Sequence, residues 1–479
     1  MARRKKNPSI FKQTFKWQSW LILSLLLASL VFLLSRFEQV QIWFTEAVGR
    51  NARIVIPLHH SDRTPLRPIW QGISQGLEGD ETMLTTAVSA GRELNLQLVR
   101  IDHIYDQFVD ITDIETLQVD FSKLDQLVLS IVEMGATPVF ALSYMPPQLS
   151  ADGTVEGPPS NWSHWQQLVR QTIIRYSGTN NYNINNIYYE VWNEPDLFGE
   201  WKPDRDPRNY LTLYQQSARA AENLEQVNNF YLGGPATTGM YPNWIKALVN
   251  HTREQNLRLD FISWHRYGQN LGQYSDDAVW INNWLADQGR DDLQLIISEW
   301  GFNSDLDQAH DSAVSAAHAV AVISQLTDQV DWLLPFEMID GLDPSGRRFW
   351  GRWGMLTHPS QGLVKKPRYH AFTMLNQLQG ERGLVVGEGS WVKALASISP
   401  DRTRVAVILA NYDLRNHHQE AVPVDILGLQ PGQYQVTTSY LDGRTQTIQI
   451  PQLAAGAFRQ IINMEPNEVA LLEINRLSL

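Results

Sequence analysis

From residue 69 onward, short runs of β-branched and other apolar residues alternate with longer stretches whose apolar positions recur every three or four residues. A continuous apolar run fits a buried strand, and recurrence near 3.6 fits a helix with one face in a core. Eight runs read as strands: 69–74, 96–101, 137–143, 187–192, 230–233, 261–264, 294–298 and 332–336. Between them, 121–134 gathers Phe121, Leu124, Leu127, Val128, Ile131 and Val132 on one helical face, and Gly135 follows as a helix stop. Parallel strands need crossover helices, so eight β-then-α units predict a closed (β/α)8 TIM barrel over 69–378. An open doubly wound sheet is the alternative that strand count alone leaves standing.

After residue 378 the rhythm changes. Closely spaced alternating runs at 392–399, 405–411, 434–440 and 469–474 are punctuated by Pro431-Gly432 and Asp442-Gly443. This pattern predicts a β-sandwich over 379–479. At the other end, 17–35 is uncharged and dense in Leu, Ile, Val and Phe, which predicts a transmembrane signal anchor. Arg3, Arg4, Lys5, Lys6, Lys12 and Lys16 precede it, so 1–16 is expected to be a cytoplasmic tail. The lipid bilayer is then a partner through 17–35, in a single-pass membrane protein whose remaining chain is extracytoplasmic. A cleaved signal peptide is the competing reading, but no small-residue cleavage site follows Leu34. Residues 36–68 read as a juxtamembrane connector with one strand-like run at 54–56.

Composition narrows the function. With 43% hydrophobic and 19% charged residues the chain can bury a large core. Its net charge is −12, and its clustered basic residues are confined to the N-terminus, so no nucleic-acid partner is expected. The absence of cysteine excludes disulfides, thiol nucleophiles and cysteine-held metals. His59-His60 and Asp102-His103 lack the H-x-H pattern of barrel metallohydrolases, so neither a metal nor a cofactor is expected.

Two carboxylates stand at strand ends. Tyr188-Tyr189-Glu190-Val191-Trp192-Asn193-Glu194-Pro195-Asp196 puts Glu194 where the fourth strand opens into the barrel mouth, the end where barrel enzymes carry their chemistry. Leu295-Ile296-Ile297-Ser298-Glu299-Trp300-Gly301 does the same for Glu299 on the seventh. If Ile297 points into the barrel, strand alternation sends Glu299 into the cleft above it. Glycosidic cleavage needs such a pair, one protonated and one ionised. Glu190, two turns of the pleat below the mouth, is expected to be buried and paired, and Glu337 either to line the cleft and bind a hydroxyl or to be a solvated rim carboxylate.

These segments resemble glycoside hydrolase clan A, and within it family 39, over roughly 69–378. The resemblance implies that Glu194 is the acid/base and Glu299 the nucleophile of a retaining glycosidase, with Asn193 hydrogen-bonding the sugar 2-hydroxyl. Phe261-Ile262-Ser263-Trp264-His265-Arg266-Tyr267-Gly268 is similar to the family's sixth-strand segment, implying that His265 and Tyr267 reach the carboxylates. Val99-Arg100-Ile101-Asp102 is similar to the second-strand end, implying that Arg100 lies near the nucleophile. Arg100 and Tyr267 would keep Glu299 ionised, while Glu194 in a drier spot would hold its proton. Members often carry a tryptophan at the end of the eighth strand. Phe336 stands in that region here, with Trp350 and Trp353 in the following loop, and these three are its candidate replacements. Trp264 and Trp300 are further cleft candidates. The expected substrate is an extracytoplasmic polysaccharide or oligosaccharide, and the alternative is a catalytically idle, polysaccharide-binding scaffold at the membrane.

Overall fold

The computed structural model describes residues 49–59, 64–78, 80–454 and 456–477. The first strand, β1 (Ile54–Pro57), precedes β2 (Gly72–Gln75) and β3 (Leu98–Ile101). A small antiparallel hairpin, β4 (Asp110–Asp113) and β5 (Gln118–Asp120), lies outside the barrel. The remaining barrel strands are β6 (Thr137–Ala141), β7 (Ile187–Glu190), β8 (Phe230–Thr237), β9 (Phe261–Tyr267), β10 (Gln294–Gly301) and β11 (Trp332–Pro335). Strands β2, β3 and β6 to β11 form one parallel sheet in chain order. It closes on itself: Leu333 N donates to Ile69 O at 3.0 Å, and Ser74 forms a parallel bridge with Phe336. Closure decides for the barrel over the open sheet.

Leu98, Val139, Tyr188, Phe261, Ile296 and Leu334 form a separate apolar cluster, with Tyr231 packed against it. Each comes from a different barrel strand, so the cluster is the plug of the barrel floor. The next inward layers turn polar towards the strands' C-terminal ends. Helices cover the outside, and those at Trp162–Ser177, Tyr210–Ala220, Leu271–Gln288 and Ala313–Leu326 are capped by Asn161, Asn209, Asn270 and Ser312 side chains accepting from first-turn N–H groups. The predicted stop at Gly135 adopts φ 88°.

The second domain contains β12 (Glu381–Gly383), β13 (Val392–Ile398), β14 (Arg404–Asn411), β15 (Glu420–Leu429), β16 (Gly432–Tyr440), β17 (Thr445–Leu453), β18 (Gly456–Met464) and β19 (Val469–Arg476). A six-stranded sheet in the order β12-β13-β14-β19-β16-β17 faces a three-stranded sheet β1-β15-β18, with one apolar core between them. Ile54–Pro57, in the stretch expected as a connector, thus supplies a strand to this domain by pairing in parallel with β15. Strands β15, β17 and β18, like the three-residue β12, have no counterpart among the predicted runs. Pro423 interrupts the first, and the other two are largely exposed, so the alternation of burial that signals a strand is weak. Helix Ala313–Leu326 is apolar on almost every side because it is covered on one flank by the barrel and on the other by Leu395, Ala406 and Ile408 of the sheet.

The expectations of a transmembrane helix, a bilayer partner and a single-pass membrane topology are corrected. No helix among the described residues is long and apolar enough to cross a membrane, and 17–35 lies outside the described residues. The longest described helix, Leu271–Gln288, carries Asp276, Asp277 and Asp287 and buries one face on the barrel, as an amphipathic surface helix does.

Candidate active site

Strand β7 ends in a backbone that leaves the extended region twice, at Trp192 (φ 72°) and Glu194 (φ 46°). Left-handed conformations cost a non-glycine residue roughly 1–2 kcal/mol each. Here Glu194 N is held by Ala236 O at 2.9 Å, while Trp192 is locked against Trp201 (ring centroids 5.2 Å apart). The break in alternation sends Trp192 outward into the core and leaves Asn193 and Glu194 facing the mouth.

On β10 the alternation argument needs correction. Ile296, and not Ile297, joins the floor cluster, while Ile297 belongs to the core shared with the outer helices. Glu299 nevertheless reaches the mouth because the register with β9 slips by one residue at Ser298: Ile297 pairs with Trp264, but Glu299 pairs with His265. A bulge of this kind inserts one residue and re-aims the next side chain.

The groups so delivered form one network. Arg100, fully buried, donates from Nε to Glu190 Oε2, from Nη1 to Glu299 Oε1 and from Nη2 to Asn193 Oδ1, each at 2.7 Å. Tyr267 Oη donates to Glu299 Oε2 at 2.8 Å. His265 Nδ1 lies 2.8 Å from Glu194 Oε1 and 3.6 Å from Glu299 Oε2. Asn193 Nδ2 donates to Tyr144 Oη at 2.8 Å.

Burial opposes the charge of Arg100, but Glu190, Glu299 and Asp102 hold it protonated above its ordinary value. Burial raises the Glu299 carboxyl, a tendency that His265 and Arg100 oppose and Glu194 and Asp102 reinforce. His265 is raised although burial works against its charge, because Glu299 and Glu194 both face it. Burial, with Glu299 and Glu194 nearby, keeps the Tyr267 phenol a donor far above its usual titration range. The expectation that Glu194 occupies the drier position is reversed: its side chain is 13% exposed and that of Glu299 7%. What separates the two is their donors, since both oxygens of Glu299 accept short hydrogen bonds whereas among the described residues the Glu194 carboxylate has the one side-chain contact with His265.

A cavity of about 760 Å³ opens over these groups, within the usual range of ligand sites. Of the expected residues, Asn193, Glu194, Tyr267, Glu299, Phe336 and Trp353 border it. Arg100 and His265 stand directly behind them. Phe336 and Trp353 form an aromatic wall, with ring centroids 5.6 Å apart. Trp300 and Trp350 do not border it. Trp300 is fully buried between Tyr274 and His318, and Trp350 lies under Arg352. Trp264 is likewise fully buried. Glu337 is no rim carboxylate, being buried, accepting from Gln75 Nε2 at 2.9 Å, and pushed well above its ordinary pKa by that burial.

Asp102, Tyr144, Asp196 and Thr238 also line the cavity and were not singled out as binding residues. Asp102 and Asp196 had a signal available, since each lies within two residues of a motif residue at a strand end. Tyr144 and Thr238 had none, because each lies beyond its strand in a loop whose path only the fold decides. The ligand atoms of Glu194, His265 and Glu299 lie within 4.8 Å of one another, close enough to share a cation. The guanidinium of Arg100 already occupies the role of counter-charge to Glu299.

Paired glutamates at the ends of the fourth and seventh strands of a parallel barrel define the class of barrel proteins built around two carboxylates. A family model described as glycosyl hydrolases family 39 matches residues 60–447, and the chain belongs to that family. A β-xylosidase of Geobacillus stearothermophilus is 26% identical over 295 residues, 55% of this chain and 57% of that protein. One of Caldicellulosiruptor saccharolyticus is 29% identical over 297 residues, 56% of this chain and 58% of that protein. The match thus spans less than two thirds of these relatives. Among solved structures, the GH39 enzyme of Xanthomonas axonopodis pv. citri superposes with a TM-score of 0.71 at 19% identity, covering 89% of this chain and 98% of that one. A monomeric β-xylosidase from Caulobacter crescentus CB15 gives 0.70 at 20% identity, covering 89% and 100%. At these identities the structural likeness speaks to the fold.

Proposed function

We propose that the chain is a retaining glycoside hydrolase acting on an oligosaccharide or polysaccharide, with Glu299 as nucleophile and Glu194 as acid/base. The observation that carries this reading is that both glutamates border one cavity and share one imidazole, His265 Nδ1 standing 2.8 Å from Glu194 and 3.6 Å from Glu299. One oxygen of each lies within 4.8 Å of the other. Retaining enzymes hold their carboxyls about 5–5.5 Å apart and inverting ones roughly 6.5–9.5 Å apart, and an oxygen pair this close is compatible with the retaining separation. Family membership and the β-xylosidase activity named for its relatives support the same class.

In this reading Glu194 gives its proton to the glycosidic oxygen as the Glu299 carboxylate bonds to the anomeric carbon, and the leaving sugar departs as an alcohol. The ester formed at Glu299 no longer carries charge, which lowers the proton affinity of Glu194. Glu194 then takes a proton from water, the resulting hydroxide displaces Glu299 from carbon, and both glutamates return to their first state. Arg100 and Tyr267 receive the Glu299 carboxylate when it is released, and Asn193, fixed by Arg100 and Tyr144, presents its amide to the sugar.

Aryl glycosides and isolated polysaccharides offered to the protein test this. Glu299→Gln should abolish release, and Glu194→Gln should spare activated aryl leaving groups more than unactivated sugars, which need the proton. The first-formed anomer, followed by NMR, should keep the configuration of the substrate. Undiminished turnover by Glu299→Gln, or an inverted product, would remove the assignment.

A further inference from the structure

Asp102 follows Arg100 by two residues at the mouth of β3, and its carboxylate borders the cavity. It is a poorly satisfied group. Among the described residues Oδ1 is buried without a hydrogen-bond partner, and the nearest cation to it, His103 Nε2, lies at 3.6 Å. His103 is shared between two carboxylates, with Nδ1 2.9 Å from Asp106 Oδ1 and its ring stacked on Tyr144 at 5.1 Å. Asp106 in turn accepts from Tyr144 N at 3.0 Å. A buried carboxylate with unfilled lone pairs is costly unless something donates to it.

The wall beside it is apolar and close. A Cβ placed on Gly76 would lie 3.1 Å from Asp102 Oδ2 and 3.2 Å from Phe336 Cζ, so carboxylate and ring converge on the same spot. Asp102 and Phe336 therefore stand side by side on one wall of the cavity, over Gly76. The charge of the cavity is one-sided as well. Asp102, Glu194, Asp196 and Glu299 border it, and among the described residues its lining contains no lysine or arginine, His103 being its single basic group.

We propose that Asp102 is a specificity residue of this site, accepting from a hydroxyl or ammonium group on the bound sugar and excluding a sugar that carries a carboxylate there. The proposal rests on the glycosidase reading and adds its substrate class: neutral or amino sugars and not uronic acids. Specificity of this kind comes as much from the repulsion of the wrong ligand as from attraction of the right one. A carboxylated sugar would meet Asp102 beside His103, whose one positive charge already faces two carboxylates, Asp102 at 3.6 Å and Asp106 at 2.9 Å.

The test compares kcat/KM of the full chain on p-nitrophenyl β-D-xyloside, β-D-glucosaminide and β-D-glucuronide. The wild type should prefer one of the first two over the glucuronide by at least about tenfold. Asp102→Asn and Asp102→Ser, each with an unchanged thermal midpoint, should shrink that ratio by about tenfold or more. Equal use of the glucuronide, or a ratio that neither folded variant changes, overturns the proposal. If the wild type cleaves none of the three, the hydrolase reading fails for these sugars, and calorimetric titration with methyl β-D-glucosaminide and methyl β-D-glucuronide decides Asp102 separately. Binding of the amino glycoside alone, weakened in Asp102→Asn, supports it. Binding of the glucuronide, or of neither, overturns it.

Discussion

Removing the phenol of Tyr267 isolates one of the three groups that set the charge of Glu299. In Tyr267→Phe the ring stays and the 2.8 Å hydrogen bond to Oε2 is lost. A hydrogen bond to a charged group contributes about 1.5–3 kcal/mol, which at 1.36 kcal/mol per pKa unit corresponds to about 1–2 units. The lower end applies, because Arg100 Nη1 still holds Oε1 at 2.7 Å and His265 Nδ1 remains 3.6 Å from Oε2. The lost donor stabilised the ionised form, so the Glu299 pKa rises further above its ordinary value, in the direction that burial already pushes it. In the proposed reaction only ionised Glu299 attacks, and the acidic limb of kcat/KM reports its ionisation in the free enzyme. The limb should therefore move to higher pH by about one unit, with a roughly tenfold loss of kcat/KM at pH values below it and a smaller loss on the plateau. The assay is the pH profile of kcat/KM on an aryl glycoside cleaved by the wild type. A limb that stays in place, or moves to lower pH, would refute the role assigned to the phenol and the placement of the nucleophile at Glu299.

Further substitutions separate cavity from core. Trp353→Ala removes part of the aromatic wall and should raise KM about 2- to 12-fold while leaving the thermal midpoint nearly unchanged, as read by steady-state kinetics and calorimetry. Trp300→Ala should do the reverse: its fully buried ring supports the barrel from outside, so the loss is about 3–5 kcal/mol of stability, measurable by denaturant unfolding. Lys366 Nζ, buried, lies 2.6 Å from both Asp311 and Asp340 and anchors the loop that carries Trp353. Lys366→Met should cost about 3–5 kcal/mol by stranding two carboxylates, lowering the melting temperature by roughly 3–6 °C if the domains unfold together.

The linear sequence determined the order of the eight barrel strands, the address of Glu194 and Glu299 at strand ends, and the motifs that bring Arg100, Asn193, His265 and Tyr267 beside them. It could do so because strand periodicity and motif spacing are local properties, and because a parallel barrel gathers the C-terminal ends of all its strands at one mouth. Tertiary structure decided the rest. Closure through Leu333 and Ile69, the slip at Ser298 that turns Glu299 inward against plain alternation, and the left-handed backbone at Trp192 and Glu194 each depend on the neighbouring strand. Which tryptophans border the cavity was equally hidden, since Trp300 and Trp353 both adjoin motifs and only packing sends one to the core and the other to the cavity. Asp102 makes the same point about charge: its neighbours along the chain are visible in the sequence, but the unfilled oxygen and the converging ring of Phe336 arise from residues more than two hundred positions apart, brought together when the barrel closes.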